Sequence, residues 1–224
     1  MGQQKQKFVA TSAESKNTGK RKAKVVGRIY GLGYNSGGRY KTRDGSKLTK
    51  AYVKWMNMLK RCYHEPEIER RPSYRGCSVC DEWHDYQCFA GWFDKNYPRD
   101  GGNYEIDKDL ISAPNKTYSP SRCIFVTRKV NSFTTDNFRA RGMYMIGASM
   151  YKPYGKFVSK CCNPVTGKME HLGYFETEIE AHLAWRKRKS ELAYELAMIQ
   201  DRDEVKQALL NWKEALDSNI IHPY

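Results

Sequence analysis

Along this chain the hydrophobic positions switch between helical spacing and strand alternation. From Thr49 to Tyr63, Tyr52, Trp55, Leu59 and Cys62 recur at i, i+3, i+7 and i+10, while Lys50, Lys54, Asn57, Lys60 and Arg61 fill the other face. That spacing predicts an amphipathic helix, capped by Thr49 and stopped by Pro66. Trp83, Tyr86, Phe89, Ala90 and Phe93 predict a second helix from about Asp81 to Lys95, with a capping box at Ser78 to Asp81. A strand is expected from Tyr104 to Ile111, then a polar Pro/Asn/Ser loop, a short strand from Cys123 to Thr127, and a helix capped by Thr127. After a linker from Thr134 to Gly142 come three strands: Met143 to Tyr151, Lys156 to Cys162, and Met169 to Phe175. Tyr154-Gly155 and Asn163 to Gly167 supply their turns. T-E-I-E at Thr177 to Glu180 is a capping box opening a helix to about Ile199, with Ala181, Trp185, Leu192, Leu196 and Ile199 in line. Val205, Leu209, Trp212 and Leu216 mark a last helix from about Asp203 to Asp217.

The remaining stretches read as irregular. Residues 1–47 are rich in Lys, Gln, Ser, Thr and Gly, and the first two dozen are expected to lack fixed structure. Val25 to Tyr34 is a possible short strand. Gly31, Gly33, Gly37, Gly38 and Gly45 make a flexible loop carrying Arg39, Lys41, Arg43 and Lys47, without the residue order of a nucleotide-binding loop. Glu65 to Gly76 reads as a charged loop.

The expected fold class is therefore α+β. It comprises a strand–strand–helix module, then a three-stranded antiparallel sheet packed on a helix, behind a flexible basic arm. The divisions fall at 1–48, 49–135, 136–200 and 201–224.

Charge sharpens this picture. The net charge of +14 sits wholly in residues 1–61, which hold 16 Lys/Arg and two acids; the rest of the chain is balanced. Such an arm is the electrostatic footprint of a polyanion binder, because each neutralised phosphate releases counterions. No apolar run approaches a membrane span, and no apolar signal core opens the chain, so a soluble cytoplasmic protein is expected. Seven scattered Cys, an odd number, argue for reduced thiols. Cys77, Cys80, His84 and Cys88 have zinc-like spacing. On one helix, however, Cys80 and Cys88 would lie about 12 Å apart along the axis, too far to share an ion. Structural zinc is not expected.

The chemistry concentrates between Tyr104 and Phe133. In a regular strand Asp107 and Asp109 point to one face and Lys108 to the other. Asn131 lies on the following helix, a poor place for Asn unless its amide has a task. Carboxylate and amide oxygens suit Mg²⁺ or Mn²⁺, which keep several waters.

The motifs YEIDKDL, NKTYSP, CIFV and VNSF, with WMNMLKRCY and YRGCSVCDEW upstream, resemble the HNH, or ββα-metal, nuclease family in the form of phage-encoded homing endonucleases. The segments GKF, HLGYFET and EIEAHLAW resemble the DNA-binding domain of plant ethylene-response factors, which phage nucleases often carry. The first resemblance implies that Asp107 is the metal-binding acid and Asn131 the helix ligand; Asp109, placed on Asp107's face by the strand reading, is a further candidate ligand. Lys108 stands where the family has a general-base His. Three readings of that departure stay open: Lys108 is the base, metal-bound water needs no side-chain base, or the site is inactive. The second resemblance implies a sheet in the major groove, with Lys156, Lys160 and Lys168 as contacts. Arg39, Lys41, Arg43, Lys47, Asn115, Arg128, Lys129, Arg139 and Arg141 complete the expected DNA-binding set. The function implied is a Mg²⁺-dependent endonuclease acting on double-stranded DNA. The rival is a DNA-binding protein of the same fold without catalysis, and an RNA-binding protein is a third option.

Overall fold

The computed structural model describes residues 27–111, 115–135 and 143–218. Arg139 and Arg141 lie outside the described residues, as do the first two dozen residues of the arm. The architecture is α+β. The described residues form six α-helices, three two-stranded sheets and one three-stranded antiparallel sheet.

The basic loop is fastened where the sequence suggested flexibility. Strands β1 (Arg43–Asp44) and β2 (Lys47–Leu48) pair across a tight turn in which Gly45 takes φ +56°. Gln87 holds the loop before them: its Oε1 accepts from Tyr40 N at 3.0 Å, and its Nε2 donates to Tyr40 O at 3.0 Å. Asp85 Oδ1 accepts from Ser36 N at 3.1 Å. No strand forms at Ile29–Tyr34. Ile29 bridges back to Gly33 in a turn, and a Cβ on Gly33 would overlap Leu59 and Trp55.

Helix α1 (Lys50–Tyr63) starts where Thr49 Oγ1 accepts from Tyr52 N. It ends at His64, and Pro66 opens a short helix α2 (Glu65–Arg70) in the stretch expected to be a loop. Glu67 makes that helix possible. Its buried carboxylate collects Lys60, Arg70 and Arg71, which hold its carboxyl below the usual range despite burial. The helix expected from Asp81 is split. A 3₁₀ turn spans Asp81–His84, and α3 (Tyr86–Asn96) then begins with Asp85, not Ser78, as its cap. Strand β3 (Ser78–Val79) runs parallel to β5 (Thr117–Tyr118).

Strand β4 (Tyr104–Asp107) pairs antiparallel with β6 (Ile124–Thr127), and α4 (Arg128–Thr134) follows at once, capped by Thr127 Oγ1 on Val130 N. Strand β4 stops at Asp107, four residues short of the expected end. The C-terminal strands are β7 (Ala148–Tyr151), which starts five residues after the expected Met143, β8 (Lys156–Cys162) and β9 (Met169–Phe175) in that order across the sheet, with a bulge at Ser159/Lys160. Helix α5 (Glu178–Met198) carries the full capping box at Thr177/Glu180 and packs on this sheet. Helix α6 (Asp203–Asp217) packs along α5.

Two hydrophobic cores meet at the β4–β6 hairpin. On one side Tyr104, Ile106, Cys123 and Phe125 join Trp55, Leu59, Trp83 and Phe89. Trp92, Phe93 and Tyr97 ring Phe125 at 4.9–5.4 Å. On the other side Ile124 and Val126 join Val130 and Phe133 of α4 with Trp185, Leu196, Leu209 and Trp212 of α5 and α6. Strand alternation sends successive residues of β6 to opposite cores. Each fully buried aromatic or aliphatic side chain adds about 1.5–3 kcal/mol. Arg202, before α6, ties the seam by donating to Phe125 O. Among the described residues no helix is long and apolar enough to cross a membrane.

Candidate active site

Asp107 ends β4 opposite Ile124, and antiparallel partners share a face. Ile124 packs with Val130 and Phe133, so Asp107 stands on the hairpin face that α4 covers. The chain turns immediately. Asp107 Oδ1 accepts from Asp109 N at 3.0 Å and from Leu110 N at 2.7 Å. This side-chain turn is what ends the strand. It also removes the strand alternation that was to place Asp109 beside Asp107. Asp107 is 7% exposed. Burial pushes its carboxyl above the usual range, against the two amides, which favour the charged form. Oδ2 has no hydrogen bond among the described residues.

Lys108 is buried. Its Nζ donates to Asp109 Oδ1 at 2.5 Å and to Asn115 O at 2.7 Å, and lies 5.8 Å from the Tyr118 ring centroid. Buried Cys62, Cys77 and Cys123 lie near it. Burial pushes the Cys62 and Cys123 thiols up to about 12. These are neutral thiols, poor nucleophiles and poor metal ligands. A base needs a free lone pair; this ammonium spends its N–H groups on a carboxylate and a carbonyl.

Asn115 is 4% exposed and saturated by the chain itself. Nδ2 donates to Lys108 O and Thr117 O, both at 2.9 Å. Oδ1 accepts from Thr117 N at 3.0 Å and from Arg122 Nη1 at 3.3 Å. The residue staples the two ends of the loop between β4 and β5. Arg122 was not singled out from sequence; the signal available was its place in the Ser119-Pro120-Ser121 turn between two strands.

Asn131 is half-buried in α4, which packs against β4 and β6. Its carbonyl accepts from Thr135 Oγ1 at 2.7 Å, and its carboxamide makes no hydrogen bond among the described residues. The expected ligand set therefore divides. Asp107 Oδ2 and the Asn131 carboxamide have unused oxygens, whereas the half-exposed Asp109 carboxylate is engaged by Lys108. Hard oxygen donors fit Mg²⁺ or Mn²⁺. Among the described residues no three His, Cys, Asp or Glu side chains are grouped to hold an ion. Of the zinc-like set, Cys77 is buried, Cys88 is exposed, and His84 contacts the Tyr63 hydroxyl at 3.3 Å.

The basic residues lie outside this centre. Arg128 and Lys129 are exposed on the first turn of α4. Arg39, Lys41, Arg43 and Lys47 are exposed on the fastened loop and hairpin, with Arg39 3.6 Å from Asp94. Lys160 and Lys168 are exposed on the C-terminal sheet and its turn, and Lys156 pairs with Glu176 at 2.6 Å. No family model matches the chain, and no curated protein or solved structure matches it either.

Proposed function

We propose that this protein is a metal-dependent endonuclease acting on double-stranded DNA, of the ββα-metal kind. The observation that carries the reading is Asp107. One of its oxygens is clamped by two backbone amides and the other makes no hydrogen bond among the described residues, on the face of a two-stranded hairpin covered by the helix bearing Asn131. Asp107 and Asn131 would hold a divalent cation. When bound, that ion supplies the positive charge that activates water and stabilises the leaving oxygen of a phosphodiester. Arg128 and Lys129 hold the scissile phosphate's neighbours. Lys108 is a structural cation that fixes Asp109 and the loop at Asn115, so no side-chain base is assigned. The exposed basic hairpin and Lys168 grip the DNA backbone.

A second reading has its own observation. The position of the family's general base holds a lysine whose Nζ is already committed, which favours a DNA-binding protein without cleavage. Plasmid nicking separates the two. Nicking with Mg²⁺, none with EDTA and none from Asp107→Ala is the result expected. Equal nicking by both proteins would remove Asp107 from the mechanism. Duplex binding with no cleavage in any metal would select the second reading.

A further inference from the structure

The solvent face of the C-terminal sheet is aromatic where an exposed strand face is ordinarily polar. Val158 pairs in register with Ser149 on one side and Tyr174 on the other, so it shares their outward face. Ser149 and Tyr174 are exposed, yet Val158 is only 5% exposed. The same face carries a cluster of rings. Tyr151, Tyr154 and Tyr174 sit 5.1–5.5 Å apart, centroid to centroid, and His171 lies 4.9 Å from Tyr174. One ring would hide a valine. Here Tyr154 keeps 64% and Tyr174 43% of their surfaces in water.

The rim of this cluster is basic. Lys156 is opposite Tyr151, Lys160 is opposite His171, and exposed Lys152 lies in the turn that carries Tyr154. Of the acids flanking the cluster in sequence, Glu170 is held by Arg188, and Glu176 is bound to Lys156 in an exposed pair. Such a pair contributes about 0–1 kcal/mol, so a phosphate can displace it. Open ring faces inside a cationic rim match unpaired bases on a phosphate backbone. In a duplex the bases are already stacked on one another and offer only their edges.

We infer that this face binds a single-stranded segment of nucleic acid, with bases stacked on Tyr154 and Tyr174 and phosphates on Lys152, Lys156 and Lys160. The site is independent of cleavage at Asp107, and its test needs no metal. Fluorescence anisotropy of the full chain in EDTA compares a labelled single strand of about 20 nucleotides with its blunt duplex. Tyr154→Ala/Tyr174→Ala should weaken single-strand binding about tenfold or more, and duplex binding less than about threefold. Tyr154→Phe/Tyr174→Phe should keep single-strand affinity, since it retains the rings. The inference is overturned by three outcomes: no single-strand binding by wild type, an equal loss on both probes, or a Phe variant as weak as the Ala variant.

Discussion

Asn115→Ala separates a loop brace from a phosphate contact. The substitution removes three well-formed bonds, to Lys108 O, Thr117 O and Thr117 N, all at 2.9–3.0 Å. It leaves those backbone groups unpaired in a site that is 4% exposed. At a net 0.5–1.5 kcal/mol per bond, with the upper end favoured for stranded groups, the loss sums to about 2–4 kcal/mol. The fourth bond, to exposed Arg122, adds little. For a chain of this size the melting temperature should fall by about 4–16 °C. The same loosening frees the turn after Asp107, so nicking should lose kcat more than KM. A residue whose task is to touch phosphate would behave the other way, with stability kept and affinity lost. Thermal melts followed by far-ultraviolet circular dichroism, beside duplex-binding anisotropy, read both. A melting point within about 2 °C of wild type, with weakened DNA binding, would refute the brace.

Two further outcomes follow from charge. Burial holds the Asp107 carboxyl above its unfolded value, so its ionisation at neutral pH opposes folding, and the opposition fades as pH falls through the folded value. Asp107→Asn keeps an oxygen for the two amides; urea midpoints should show it at least as stable as wild type near pH 7, with the gap narrowing as pH falls towards the ordinary aspartate range. A variant less stable at both pH values would contradict this. Glu170 is the opposite case: Arg188, at 2.7 Å, and Asn163 hold its carboxyl down at about 2. Arg188→Met should therefore destabilise the chain at neutral pH, with the deficit shrinking as pH falls from the ordinary glutamate range towards about 2, and a deficit constant with pH would remove the ion pair from the account.

The C-terminal half was readable because its signals are local. Alternation in β8 and β9, bounded by Gly155 and the Asn163–Gly167 turn, marks both strands to the residue. The Thr177/Glu180 box and the Val205–Leu216 stripe mark α5 and α6 to within a residue, although Ile199, expected in the apolar line of α5, is its exposed cap. The misread segments depend on distant partners. Nothing near residue 40 announces that Gln87 will pin the loop, and only one apolar residue, Ile68, hints at α2, whose anchor is a charged Glu67. Around the site, the acid, lysine and amides were visible as types, but their assignments were not. Alternation predicted Asp109 beside Asp107, whereas the carboxylate at 107 turned the chain and paired Asp109 with Lys108. The burial of Lys108 comes from Asn115 and from thiols contributed by α1 and the segment before β3, contacts that no local periodicity encodes.

The β4–β6 hairpin has one consequence for the molecule as a whole. Phe125 is roofed by Trp92 and Phe93, and its neighbours Ile124 and Val126 by residues from α4 to α6, so neither half owns the partition between them. A chain cut near residue 135 would leave a bare greasy wall, and the amputated remainder would lose its floor. Reshuffling such modules by simple end-to-end fusion is therefore ruled out at this joint.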